Sequence, residues 1–90
     1  METAIKQLLS GGFAEFSFHG ASYLIQEENN KGWYYLSLWR TAPDYTCMRR
    51  VFFDVLDGVT EETVRELLAQ PFSDEYTIQE ILQSPETAWK

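Results

Sequence analysis

Cysteine, histidine and positive charge are all scarce in this sequence. A single cysteine, Cys47, has no intramolecular disulfide partner, so a disulfide-held scaffold is excluded and nothing points to an oxidising compartment. One histidine, His19, and one thiol cannot build a typical zinc site, and the carboxylates lack the Asp/Asn spacing around a central glycine of a calcium loop. No glycine-rich phosphate loop is present. Seven basic residues against fourteen acidic ones leave a net charge of −7. That charge disfavours nucleic acid and anionic membranes as partners, because phosphates are held by clustered Lys and Arg. No apolar run is long enough to span a bilayer, and the opening METAIKQLLSGG has no basic leader. The expectation is a cytoplasmic protein.

Chemistry is equally short of candidates. His19 is the only histidine and Cys47 the only thiol, so a Cys-His pair is formally possible, but no nucleophile motif surrounds either, and strand alternation assigns them to different sheet faces. Glu27-Glu28 and Glu61-Glu62 are adjacent in sequence, and adjacent residues on a strand or helix point apart. The reading is therefore a protein with no catalytic residue, no cofactor and no metal.

What the sequence has in quantity is aromatic and apolar side chains, 16% and 44% of its 90 residues. This is enough for one small domain over residues 1–90, with residues 85–90 expected to fray. Ile5, Leu8 and Leu9 are spaced for one face of a short helix over 2–10, which Gly11-Gly12 would end. AEFSFHG alternates as a half-buried strand, and a turn at Gly20-Ala21 leads into SYLIQEE as its antiparallel partner. A second turn at Asn29–Gly32 leads into GWYYLSLWR, Ala42-Pro43-Asp44 closes that strand, and TCMRRVFFD is a fourth. After Asp57-Gly58 the period changes. Thr60 caps a helix over 61–69 with Val59 and Val64 as its hydrophobic staple, and the TIQE capping box at Thr77 opens another over 78–84. The predicted fold is α+β: a short N-terminal helix, a four-stranded antiparallel meander and two C-terminal helices on one sheet face.

Splitting each strand by alternation gives two sets. The core set is Phe16, Phe18, Tyr23, Ile25, Tyr34, Leu36, Leu38, Val51 and Phe53. The other is Ser17, His19, Leu24, Gln26, Trp33, Tyr35, Ser37, Trp39, Met48, Arg50 and Phe52, where a free sheet face is normally polar. Of these, Trp33, Tyr35, Trp39, Met48, Arg50 and Phe52 are the expected partner-binding residues, because Trp, Tyr and Arg dominate interface energetics. The plainer alternative is that a loop or the Trp89 tail covers them. Charge is divided too. Residues 31–50 carry four basic side chains and one acidic, whereas 54–86 carry nine acidic and only Arg65. A solvated helix face explains that, and a docking surface for a basic partner is the sharper reading.

The stretch IKQLLSGGFAEFSFHGASYLIQ (Ile5 to Gln26) resembles the start of a family of small bacterial domains with a short helix, a glycine and a hairpin of the kind EFEYKGKKYSI. LLAQPFSDEYTIQEIL (Leu67 to Leu82) resembles their closing segment, often FDGKSLxEI, with Asp74-Glu75-Tyr76-Thr77 standing where the family has Gly-Lys-Ser. The family has no assigned activity. The resemblance implies a bacterial, cytoplasmic protein with the same order of elements, and no catalytic residue. The leading functional expectation is a non-enzymatic protein-binding module that uses its aromatic sheet face, a second copy being the first candidate partner. The alternative is an acidic decoy imitating nucleic-acid phosphates, and a small enzyme ranks last.

Overall fold

Two pairs of left-handed residues set the course of the chain. His19 (φ 48°) and Gly20 (φ 81°) form one two-residue turn, Lys31 (φ 55°) and Gly32 (φ 87°) another. Positive φ at both central positions gives a hairpin turn whose twist matches that of the flanking strands. The structure, a computed structural model of the chain, describes residues 6, 8, 9 and 13–89. The turns join β1 (Phe13–Phe18) to β2 (Ala21–Asn30) and β2 to β3 (Trp33–Ala42). A longer turn leads to β4 (Thr46–Phe52). Helices α1 (Glu61–Leu68) and α2 (Ile78–Gln83) follow, and then a two-residue strand, β5 (Ala88–Trp89).

All the strand pairings are antiparallel, and the sheet order is β4-β3-β2-β1-β5. The architecture is thus α+β, but the expected four-stranded meander is corrected to a five-stranded sheet. Residues 88 and 89, expected to fray, pair with Ser17 and Phe16, and the Trp89 ring packs 5.7 Å from that of Phe16. A strand of two residues is too short to show a period, which is why alternation missed it. Among the described residues two bounded helices are present, where three were expected. Of the helix expected over 2–10, Lys6, Leu8 and Leu9 have helical backbone, and the rest lies outside the described residues.

Both helices cover one face of the sheet. Val64, Leu67 and Leu68 of α1, and Ile78, Ile81 and Leu82 of α2, join Phe16, Phe18, Tyr23, Ile25, Leu36, Leu38 and Val51 in one core, with Leu8 and Ala14. Each helix starts where its cap dictates. The Thr60 hydroxyl accepts from the Thr63 N–H, and at α2 Thr77 and Glu80 satisfy each other's backbone donors at 3.2 and 2.9 Å. Tyr34 and Phe53, assigned to the core, are only half-buried. Their rings meet 6.1 Å apart.

Among the described residues no helix is long and apolar enough to cross a membrane.

Candidate functional site

With the helices on one side, the other side of the sheet is left to the outward set of strand residues. Cross-strand pairing arranges it in rows: Phe52, Tyr35 and Glu28; then Arg50, Ser37, Gln26 and Phe13; then Cys47, Trp39, Leu24 and Glu15. Directly paired residues point to the same face, so all of these share the side away from α1 and α2.

The aromatic residues expected to form one patch divide into two groups. At one end Trp33 and Phe52 meet edge-to-face at 5.9 Å, and Phe52 meets Tyr35 at 5.8 Å. Trp33 is 68% exposed and Phe52 61%. Tyr35 is 5% exposed, since Phe52 packs on its edge and the Arg50 guanidinium lies 4.6 Å over its ring. At the other end Trp39 is half-buried and its ring lies 5.1 Å from that of Tyr45, a residue that sequence reasoning did not assign to the face.

A polar centre separates the two groups. Glu28 Oε1 accepts from Ser37 Oγ at 2.7 Å, from Gln26 Nε2 at 3.2 Å, and from Trp39 Nε1. Burial pushes the Glu28 carboxyl up, but hydrogen bonds from Ser37, Trp39, Gln26 and Tyr35 together outweigh it and hold the group below the usual carboxylate range. Ser37, fully buried, is thereby satisfied, and no buried side-chain polar atom among the described residues is left without a partner. Glu28, the last residue of the expected strand SYLIQEE, was assigned to neither set. It shares the parity of Leu24 and Gln26, and that signal was available in the sequence.

Met48 is corrected. A bulge in the β3–β4 pairing between Leu38 and Trp39 pairs Leu38 with Arg49 and Trp39 with Cys47, so Met48 is the extra residue. Its side chain packs against the core, and Cys47 takes the outward position. Arg50 Nη2 donates to Cys47 Sγ at 3.3 Å. This bond raises the already high Arg50 value further, and a guanidinium is charged at any ordinary pH, so Arg50 is a permanent cation on the face. Arg49 turns to the edge and donates to the Pro71 carbonyl at 2.9 Å, while Gln70 Nε2 donates to the Arg50 carbonyl at 3.3 Å. The segment after α1 thus covers part of the β4 edge.

His19 sits in the β1–β2 turn and pairs with Glu86, apart from Cys47 on β4. Among the described residues no group of three or more His, Cys, Asp or Glu is gathered to hold a metal ion. What the face does offer is a shallow recess of about 350 Å³, lined by Asn30, Trp33, Tyr35, Arg50 and Phe52. Its walls are rings, its one charge is positive, and it is open to solvent. Such a recess can seat an apolar side chain and pair with an acidic neighbour, but it lacks the convergent polar groups of a reaction site.

Compared with protein-family models, curated proteins and solved structures, the chain matches none.

Proposed function

We propose that the protein is a non-enzymatic binding module that engages another protein through the open face of its sheet. The observation that carries this reading is the Trp33–Phe52 pair: two large rings in edge-to-face contact, both more than half exposed, beside Arg50 on a face that neither α1 nor α2 covers. Exposed rings of this size cost solubility unless something docks there, and Trp, Tyr and Arg supply most of the energy in protein interfaces. Tyr35 and Ser37 contribute by being buried: with Glu28 they fix the floor on which the exposed rings stand. A rigid floor lowers the ordering cost of association. The single thiol suits a reducing compartment, and the reading places the protein in the cytoplasm.

The test compares wild type with a Trp33→Ala/Phe52→Ala variant. Each is immobilised and exposed to an extract of the native host, and any protein retained by the wild type alone is purified and titrated against both. The expected loss is at least about a hundredfold in affinity, as for removal of two central anchors. Equal retention and equal affinity for both forms would remove the basis of the proposal.

A further inference from the structure

We infer that the recess takes Leu56 of a second copy of this chain, in a twofold exchange that fills both recesses at once. This deepens the reading above and rests on it. Leu56 is 90% exposed, the highest value of any large apolar residue described, and Val55 beside it is more than half exposed. The turn that carries them is held firmly. The N–H groups of Asp57 and Gly58 both donate to the Asp54 carbonyl, at 3.1 and 2.9 Å, and the Leu56 N–H donates to Asp54 Oδ1 at 2.9 Å. Gly58 closes it with φ of 68°. A leucine held out by three hydrogen bonds is a preorganised knob rather than a residue caught in a loose loop.

Knob and recess are complementary in kind and in charge. The knob is aliphatic and bracketed by two carboxylates, Asp54 and Asp57. The recess is aromatic and carries the Arg50 cation. Both features stand close together in the chain, Phe52 ending β4 and Leu56 following in the next turn. Leu56 does not fill the recess of its own copy, as its exposure proves. An unrelated partner would need to match one of the two features. A second copy matches both, because a twofold contact that sets Leu56 on the recess of its neighbour sets the neighbour's Leu56 on its own. Each contact also brings Asp57 toward Arg50, so two molecules that repel at long range through their net charge of −7 attract locally.

Sedimentation velocity over a concentration series tests this with wild type, Leu56→Ser, Trp33→Ala, Arg50→Glu and Asp57→Arg, circular dichroism confirming the fold of each. Leu56 and Trp33 are exposed enough for substitution to spare the core, and Asp57 is preferred to Asp54 because the Asp54 side chain holds the turn. The wild type should dimerise. Leu56→Ser and Trp33→Ala should each raise the dimer dissociation constant by about a hundredfold, since each loss counts twice. Arg50→Glu and Asp57→Arg should each be monomeric alone and form a mixed dimer together, because only the mixture restores opposite charges at both contacts. A wild type that stays monomeric at the highest concentration overturns the second copy and leaves the open face to another partner. A dimer lost with Trp33→Ala and kept with Leu56→Ser overturns the knob while the face stands. A dimer that survives both refutes self-association through the recess, and the extract experiment then decides the face alone.

Discussion

Replacing Glu28 with alanine removes the acceptor on which Ser37, Trp39 and Gln26 converge. The fully buried Ser37 hydroxyl then loses its charged acceptor, which costs about 1–2 kcal/mol at a site this close to solvent. The Trp39 N–H, half-buried, recovers part of its loss from water, and about 0.5–1 kcal/mol remains. The sum is about 2 kcal/mol, which lowers a urea midpoint by roughly 1–2 M for a domain of this size. Glu28→Gln keeps an acceptor without the charge and should lose about half as much. The pH dependence follows from the direction of the shift. The folded carboxyl titrates below its ordinary value of 4.5, so its ionisation stabilises the fold above that pH and ceases to do so as pH falls through the lowered value. Urea titrations of the three proteins should therefore differ most near neutrality, and wild type and Glu28→Gln should converge in acid. Equal midpoints at neutral pH, or a gap that fails to narrow in acid, would refute the view that this carboxylate organises the face.

Three other outcomes are expected. Leu36→Ala, at a fully buried position under the helices, should cost about 2–5 kcal/mol in chemical denaturation, whereas Leu56→Ser, compared at dilutions where both proteins are monomeric, should stay within about 0.5 kcal/mol of wild type. Thr77→Ala removes the acceptor for the Glu80 N–H at the start of α2, and should lower stability by about 1 kcal/mol, read as a fall of roughly 5 °C in Tm. His19→Ala should change stability by less than about 1 kcal/mol, since its pair with Glu86 is exposed on both sides, and with Cys47→Ala it should leave any partner binding within a small factor. Complete loss of function in that double variant, with the fold intact, would reopen the case for an enzyme.

Alternation and capping signals made much of this molecule readable in advance. Phe16, Phe18, Tyr23, Ile25, Leu36, Leu38 and Val51 all fall in the core, because a period of two admits only one choice of face once the helices commit to a side. The capping box at Thr77 located the start of α2 to the residue. Where the reading went astray, the cause was a relation between segments. The bulge that turns Met48 inward and Cys47 outward depends on how β4 meets β3, and neither strand shows it alone. Tyr35 shares the parity of Trp33 and was expected to be as exposed. Its burial comes from Arg50 and Phe52 on the neighbouring strand. Glu28 lay within the expected strand, but the hydrogen bonds that make it the centre of the face come from Ser37 and Trp39 on the neighbouring strand, and alternation along one strand does not show them. Trp89 was expected to be tail because a pair of residues has no period, and its contact with Phe16 is purely tertiary.

The pairing of β5 with β1 also bears on how the chain assembles. Hairpins β1–β2, β2–β3 and β3–β4 join near neighbours in sequence and can close early, each providing the template for the next. Phe16 and Trp89, by contrast, stand roughly 70 residues apart, and only two residues of backbone reward the closing of that long loop. The last strand is therefore a late addition on the folding pathway and an early departure on the way out. Its amides, together with the outer edge of β1, should exchange with solvent through openings far cheaper than global unfolding, while those of β2 and β3 wait for the whole sheet to come apart.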